Sequence, residues 1–115
     1  MKLSDIVKRI YVDPKKLTHY ALNSDSPYGK HKALLFEKLL GFTKENYDSL
    51  ISQIKTKSLH SEAVFHSEDT FGRRYTVDML IEGANEQQAM VRTGWFISSE
   101  TEEAHLVTLY VKRQV

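Results

Sequence analysis

The chain contains no cysteine, and that absence removes disulfides, thiolate catalysis and every cysteine-based zinc site at once. Proline occurs only twice, at Pro14 and Pro27, so chain breaks of that kind are confined to the N-terminal quarter. No apolar run approaches the roughly 20 residues needed to span a bilayer, and the Met1-Lys2-Leu3-Ser4-Asp5 start lacks the apolar core of a signal peptide. The expectation is a protein that is cytoplasmic, or exported by another route, with no membrane partner. The five histidines, at positions 19, 31, 60, 66 and 105, are scattered without His-x-x-x-His spacing, so no metal site and no cofactor is expected. At 115 residues with 41% hydrophobic content, the chain fits one domain spanning 1–115.

Net charge is close to zero, but its distribution is uneven. Residues 1–60 hold eleven Lys/Arg against six Asp/Glu, whereas residues 61–115 hold five against nine. This asymmetry points to a charged partner, either nucleic acid on the basic side or a complementary protein.

Periodicity divides the chain at about residue 60. Leu3, Ile6 and Ile10 are spaced as a short amphipathic helix, although the β-branched and aromatic Ile10-Tyr11-Val12 also suits an extended strand. Asp13-Pro14 is a helix start, with an aspartate cap and proline at the first position. The helix it opens ends near Asn23, with His19 and Tyr20 read as packing or surface residues. Ser26-Pro27-Tyr28-Gly29 is a turn leading into a helix with Leu35, Phe36, Leu39 and Leu40 on its core face and Gly41 just beyond its end. Thr43 caps a further helix over 44–57. From Glu62 the period becomes two, with strands expected over 62–67, 73–81, 88–97 and 106–112 and polar turns between them. Short connections make these neighbours antiparallel. The pattern is therefore α+β, with N-terminal helices packed on one face of a four-stranded antiparallel meander.

Candidate chemistry lies in three places. Lys30, His31 and Lys32 open a helix whose positive dipole end ordinarily attracts acidic residues, so cations there either point to a nearby anion or simply face water. His31 exchanges a proton near neutral pH and Lys30 or Lys32 attracts a phosphate. Arg92 sits within an otherwise apolar strand, where it must either pair with a carboxylate such as Asp78 or face an open site. On the last strand, alternation sends Val107, Leu109 and Val111 to the helices and Leu106, Thr108, Tyr110 and Lys112 to the free face, making Thr108 and Tyr110 site candidates. Gly94 marks a possible bulge, which leaves the direction of Trp95 open.

Five blocks in fixed order carry a resemblance. They are Pro14-Lys15-Lys16-Leu17 with Leu22-Asn23; Pro27-Tyr28-Gly29-Lys30-His31-Lys32-Ala33 with Phe36 and Leu40-Gly41; Gly72-Arg73-Arg74-Tyr75-Thr76-Val77-Asp78; Val91-Arg92-Thr93-Gly94-Trp95; and Leu106-Val107-Thr108-Leu109-Tyr110. Over about residues 13–111 the chain resembles small bacterial domains found alone and as C-terminal modules of polymorphic or contact-dependent toxins. Similar domains adopt the fold shared by barnase, EndoU, colicin E5, colicin D and RelE. The resemblance implies metal-independent cleavage of RNA by its 2′-OH, and neutralisation by a cognate immunity protein or antitoxin. It also implies roles: His31 in acid–base catalysis, Lys32 and Arg92 on the phosphate, Thr108 and Tyr110 orienting it or assisting proton transfer. Lys30, Arg74 and Trp95 contact substrate, Trp95 as a stacking surface for a base. Asp78 would orient His31 or an arginine. Two other readings use the same free face without catalysis, one binding protein and one binding RNA.

Overall fold

A computed structural model describes residues 1–27 and 30–112. After a 3-10 turn at Leu3–Asp5 come strand β1 (Arg9–Tyr11), a π-helical turn at Leu17–Ala21, helix α1 (Lys30–Leu40) and helix α2 (Asp48–Ser58). Four strands follow: β2 (Ala63–Asp69), β3 (Gly72–Glu82), β4 (Gln88–Ser98) and β5 (Glu103–Val111). No helix among the described residues is long and apolar enough to cross a membrane.

The four expected strands form the antiparallel meander, but the sheet has five strands, in the order β1-β5-β4-β3-β2. The additional strand corrects the four-stranded expectation, and at Ile10 and Tyr11 it follows the extended alternative in place of the helical spacing. Arg9, Ile10 and Tyr11 pair in parallel with Glu103, Ala104 and His105. A β-branched and an aromatic residue thus take the conformation they favour once a sheet edge is within reach.

Both helices lie on one face of the sheet. Phe36 and Leu40 of α1 and Leu50 and Ile54 of α2 share one core with Val77, Met79, Ile81, Val91, Trp95 and Leu109, and Ala33 of α1 is also buried. Leu39, expected in the core, is 39% exposed, because the buried stripe of α1 follows i, i+3, i+7 from Ala33. Gly41 ends α1 with φ of 70°, a conformation that favours glycine, and its N–H donates to Glu37 O at 2.9 Å. Helix α2 starts at Asp48 rather than 44 because the preceding polar residues close on themselves. Asn46 Oδ1 accepts the Thr43 N–H at 2.7 Å, and Thr43 Oγ1 accepts the Glu45 N–H at 3.2 Å. The Tyr28-Gly29 half of the turn expected before α1 lies outside the described residues.

The last strand corrects the expected alternation. Leu106 is buried and Val107 is 40% exposed, the reverse of the expectation, while Leu109 and Val111 face the core as expected. Gly94 pairs with Thr108 but Trp95 pairs with Leu106, leaving Val107 as an extra residue on β5. This bulge changes the phase of the strand, so that the residues on both sides of it keep their apolar side chains under the helices.

Candidate functional site

The sheet face opposite the helices carries no covering element among the described residues, and its side chains line up across the strands. Asp78 pairs in register with Arg92, and Arg92 with Tyr110. The guanidinium of Arg92 donates through Nε to Asp78 Oδ1 at 2.8 Å and through Nη2 to Asp78 Oδ2 at 3.0 Å. Lys112 Nζ donates to the same carboxylate at 3.0 Å. The Arg92 hydrogen bonds hold Asp78 below the usual carboxylate range, with Lys112 adding to the effect and partial burial opposing it. Asp78, followed by Tyr110, pushes the Arg92 guanidinium further toward its charged form. Thus Arg92 both pairs with Asp78 and lies on an open face.

The second part of the site forms at the rim. Because β1 spans only three residues, it covers β5 at Glu103, Ala104 and His105 and goes no further. Beyond His105 the outer edge of β5 is bordered by the π-helical turn and the first turn of α1. Lys32 reaches across this rim and donates to Thr108 Oγ1 at 3.1 Å, joining residues 76 positions apart. Its ammonium lies 4.8 Å from the Tyr20 ring centroid and 5.7 Å from that of Tyr110. Two aromatic faces and a hydroxyl therefore hold this cation, and none of the ion pairs among the described residues supplies it with a carboxylate.

Thr108 owes its position to the glycine opposite. A Cβ on Gly94 would stand 2.7 Å from the Thr108 methyl, well inside van der Waals contact. Only a residue without a side chain leaves Thr108 room to lie against β4 and accept from Lys32.

Lys32, Thr108, Tyr110 and Arg92 consequently form one connected set on the free face and its rim, with Asp78 holding the arginine. The remaining expected residues are placed differently. Lys30 and His31 are exposed at the start of α1, and neither forms an ion pair among the described residues. Arg74 is on the free face, but it donates to Asp69 at 2.8 Å and lies over the Phe96 ring at 5.0 Å. Trp95 is fully buried beneath the helices, so the expectation of a base-stacking surface is corrected. Its Nε1 donates to Thr93 Oγ1 at 2.7 Å, and that hydroxyl donates to Val77 O at 2.7 Å, which satisfies both buried polar groups.

Sequence reasoning passed over two other histidines. A groove of about 430 Å³ is lined by Asp13, Lys15, Lys16, His19, Tyr20 and Thr108. A hollow of about 420 Å³ brings His66 beside Thr76, Asp78 and Arg92. The strand register shifts between Phe65 and Ser67, on either side of His66. Neither the π turn nor this irregularity leaves a periodic signal, although the Pro14-Lys15-Lys16-Leu17 block did mark the groove segment. Among the described residues, no group of three or more His, Cys, Asp or Glu side chains is gathered closely enough to hold a metal ion.

No curated protein matches the chain. A solved structure does: a chain of the contact-dependent growth inhibition toxin–immunity protein complex from Klebsiella pneumoniae 342 is similar over 97% of both chains, with 16% identity and a TM-score of 0.68. At that identity the likeness concerns the fold. A family model matches residues 2–113, and the chain belongs to that family, DUF6883, a domain of unknown function.

Proposed function

We propose that the chain is a toxin-type domain that cleaves RNA at the Lys32–Thr108–Tyr110–Arg92 site. The observation that carries this reading is the Lys32 ammonium, held by a hydroxyl and two tyrosine rings without a carboxylate partner among the described residues. A cation kept in this way at the rim of an open face is suited to a substrate anion.

In the proposed reaction the 2′-oxygen loses its proton and bonds to phosphorus, and the bond from phosphorus to the 5′-oxygen breaks as that oxygen is protonated. Lys32 and Arg92 balance the charge on the phosphorane, and Thr108 orients a non-bridging oxygen. Tyr110, beside Arg92, assists one proton transfer, and His31, exposed one residue before Lys32, is available for the other. Lys30 and Arg74 add long-range attraction for the strand. A cognate immunity protein holds the activity in check, as the toxin–immunity complex with a similar fold suggests.

A second reading is favoured by a different observation. Arg92 is bidentate to Asp78, and Lys112 shares that carboxylate, so both cations already have an internal partner. An internally paired arginine also suits a face that binds protein or RNA without cleaving it.

Inducible expression in a bacterial host separates the two, with wild type compared with Lys32→Met, Tyr110→Phe and Arg92→Ala. Growth arrest with fragmented total RNA, abolished in variants that remain folded, is the outcome expected of the ribonuclease. Normal growth and intact RNA at high expression would leave the binding reading in its place.

A further inference from the structure

The groove beside Thr108 differs from the rest of the surface in charge and in construction. Its lining brings Lys15, Lys16 and His19 together with the ring of Tyr20 and the hydroxyl of Thr108, against a single carboxylate, Asp13. That carboxylate is engaged locally, since Asp13 Oδ1 accepts the Lys15 N–H at 3.0 Å and caps the turn. Among the described residues no ion pair neutralises Lys15 or Lys16, and both are exposed. Lys32 adjoins the groove through two of its lining residues, Tyr20 and Thr108.

The backbone that carries these residues is unusual. Leu17–Ala21 is a π turn, closed by the Leu22 N–H donating to Leu17 O at 2.7 Å. Leu17 and Ala21 are fully buried, which anchors both ends of the turn, while the widened backbone between them puts adjacent His19 and Tyr20 in the groove lining. An ordinary α-turn separates neighbouring side chains by about 100°, and π turns of this kind concentrate at functional sites. The short β1 leaves the adjoining edge of β5 without a strand neighbour among the described residues.

We infer that this groove is a binding subsite for a single RNA strand, with Lys15 and Lys16 on its phosphates and His19 facing the phosphodiester nearest Lys32. The inference rests on the RNA reading proposed above and extends that site outward along β5. Cations interleaved with an aromatic ring and a hydroxyl are the combination by which proteins hold single strands. The volume of about 430 Å³ falls within the roughly 300–1,000 Å³ of ligand sites.

The test is a histidine-resolved NMR titration of the full chain with a 2′-O-methyl oligonucleotide, which cannot be cleaved by 2′-OH attack. The His19 ring signals are expected to move on addition, with those of His60 unchanged. Lys15→Glu combined with Lys16→Glu should weaken binding at least tenfold and reduce the slope of log affinity against log salt by about 1.4, or about 0.7 for each phosphate that no longer meets a lysine. Binding absent in wild type, movement of His66 without His19, or a double variant with unchanged affinity and salt slope would each overturn the inference. So would a polyglutamate peptide that moves His19 where the oligonucleotide does not, because the groove would then be a protein-docking surface. Cleavage of the matching unmodified oligonucleotide is followed in parallel. Movement of His19 without cleavage supports the subsite and counts against the ribonuclease reading alone.

Discussion

The two faces of the sheet settle their polar groups in opposite ways. On the covered face, Trp95, Thr93 and the Val77 carbonyl form a closed chain in which every donor has a protein acceptor and no ring is exposed. On the free face, Asp78, Arg92 and Lys112 are only partly withdrawn from water, and Lys32 lies against neutral groups. Low dielectric makes a missing partner costly beneath the helices, whereas solvent relieves the same defect on the other side. The covered face therefore determines whether the chain folds, and the free face is where substitutions change function at small cost to the fold.

Trp95→Ala attacks that contrast most strongly. Loss of the largest buried side chain is expected to destabilise the protein by about 3–5 kcal/mol, read as a reduced midpoint in urea unfolding. A loss below about 1 kcal/mol would mean that the helices close over the cavity and that the covered face is less tightly specified than its packing indicates.

Gly94→Ala acts between the faces. The added methyl is expected to displace Thr108 and cost about 1–3 kcal/mol through overpacking, while the Lys32–Thr108 hydrogen bond is broken. Comparing crystal structures of the two forms checks the displacement; an unmoved Thr108 would refute the glycine's positioning role.

Asp78→Asn sharpens the contrast through pH. The folded carboxyl titrates below its ordinary value of 3.8, so the ionised form contributes stability above that value and loses it as pH falls through the lower folded one. The substitution should cost about 1 kcal/mol near neutrality, with solvent screening at this half-exposed site limiting the effect. Wild type and variant should converge as pH drops below about 3.8. Urea unfolding at a series of pH values measures this, and a constant difference across the acid range would show that the carboxylate charge is not responsible.

Lys32→Met is expected to have the smallest effect on stability, within about 1 kcal/mol, since the methionine stem preserves the packing against the tyrosines. The prediction pairs an almost unchanged thermal midpoint with loss of RNA binding. Unfolding of this variant would assign Lys32 to the scaffold instead of the site.

Residues whose surroundings are local were legible from sequence. A period of two in 73–81 identified β3, and an arginine within an apolar strand anticipated the Asp78–Arg92 pair that the register delivers. Lys32 and Thr108 were both marked as candidates, although only the fold brings them together. What sequence concealed depends on distant partners or on irregular backbone. Ile10 fits a helical spacing as readily as a strand until β5 offers it an edge. A single inserted residue, Val107, reverses the apparent faces of half a strand. His19 follows a proline-started helical pattern, but the π turn gives it a neighbour and a direction that 3.6-residue counting does not provide. Trp95 shares the buried parity of Val91, Thr93 and Ile97, which became readable once the inserted residue was located on β5 and not at Gly94.

The first eleven residues touch both rims of the sheet. Ala63 donates its N–H to Met1 O outside β2 at 2.8 Å, Leu3 and Val7 cross within the core, and Arg9–Tyr11 join β5 at the far side. An affinity handle or reporter fused ahead of Met1 would emerge beside β2. It would stand about four strand spacings, or roughly 19 Å, from β5. Immobilisation by that end thus places the support at the rim of the sheet opposite to β5 and Lys32.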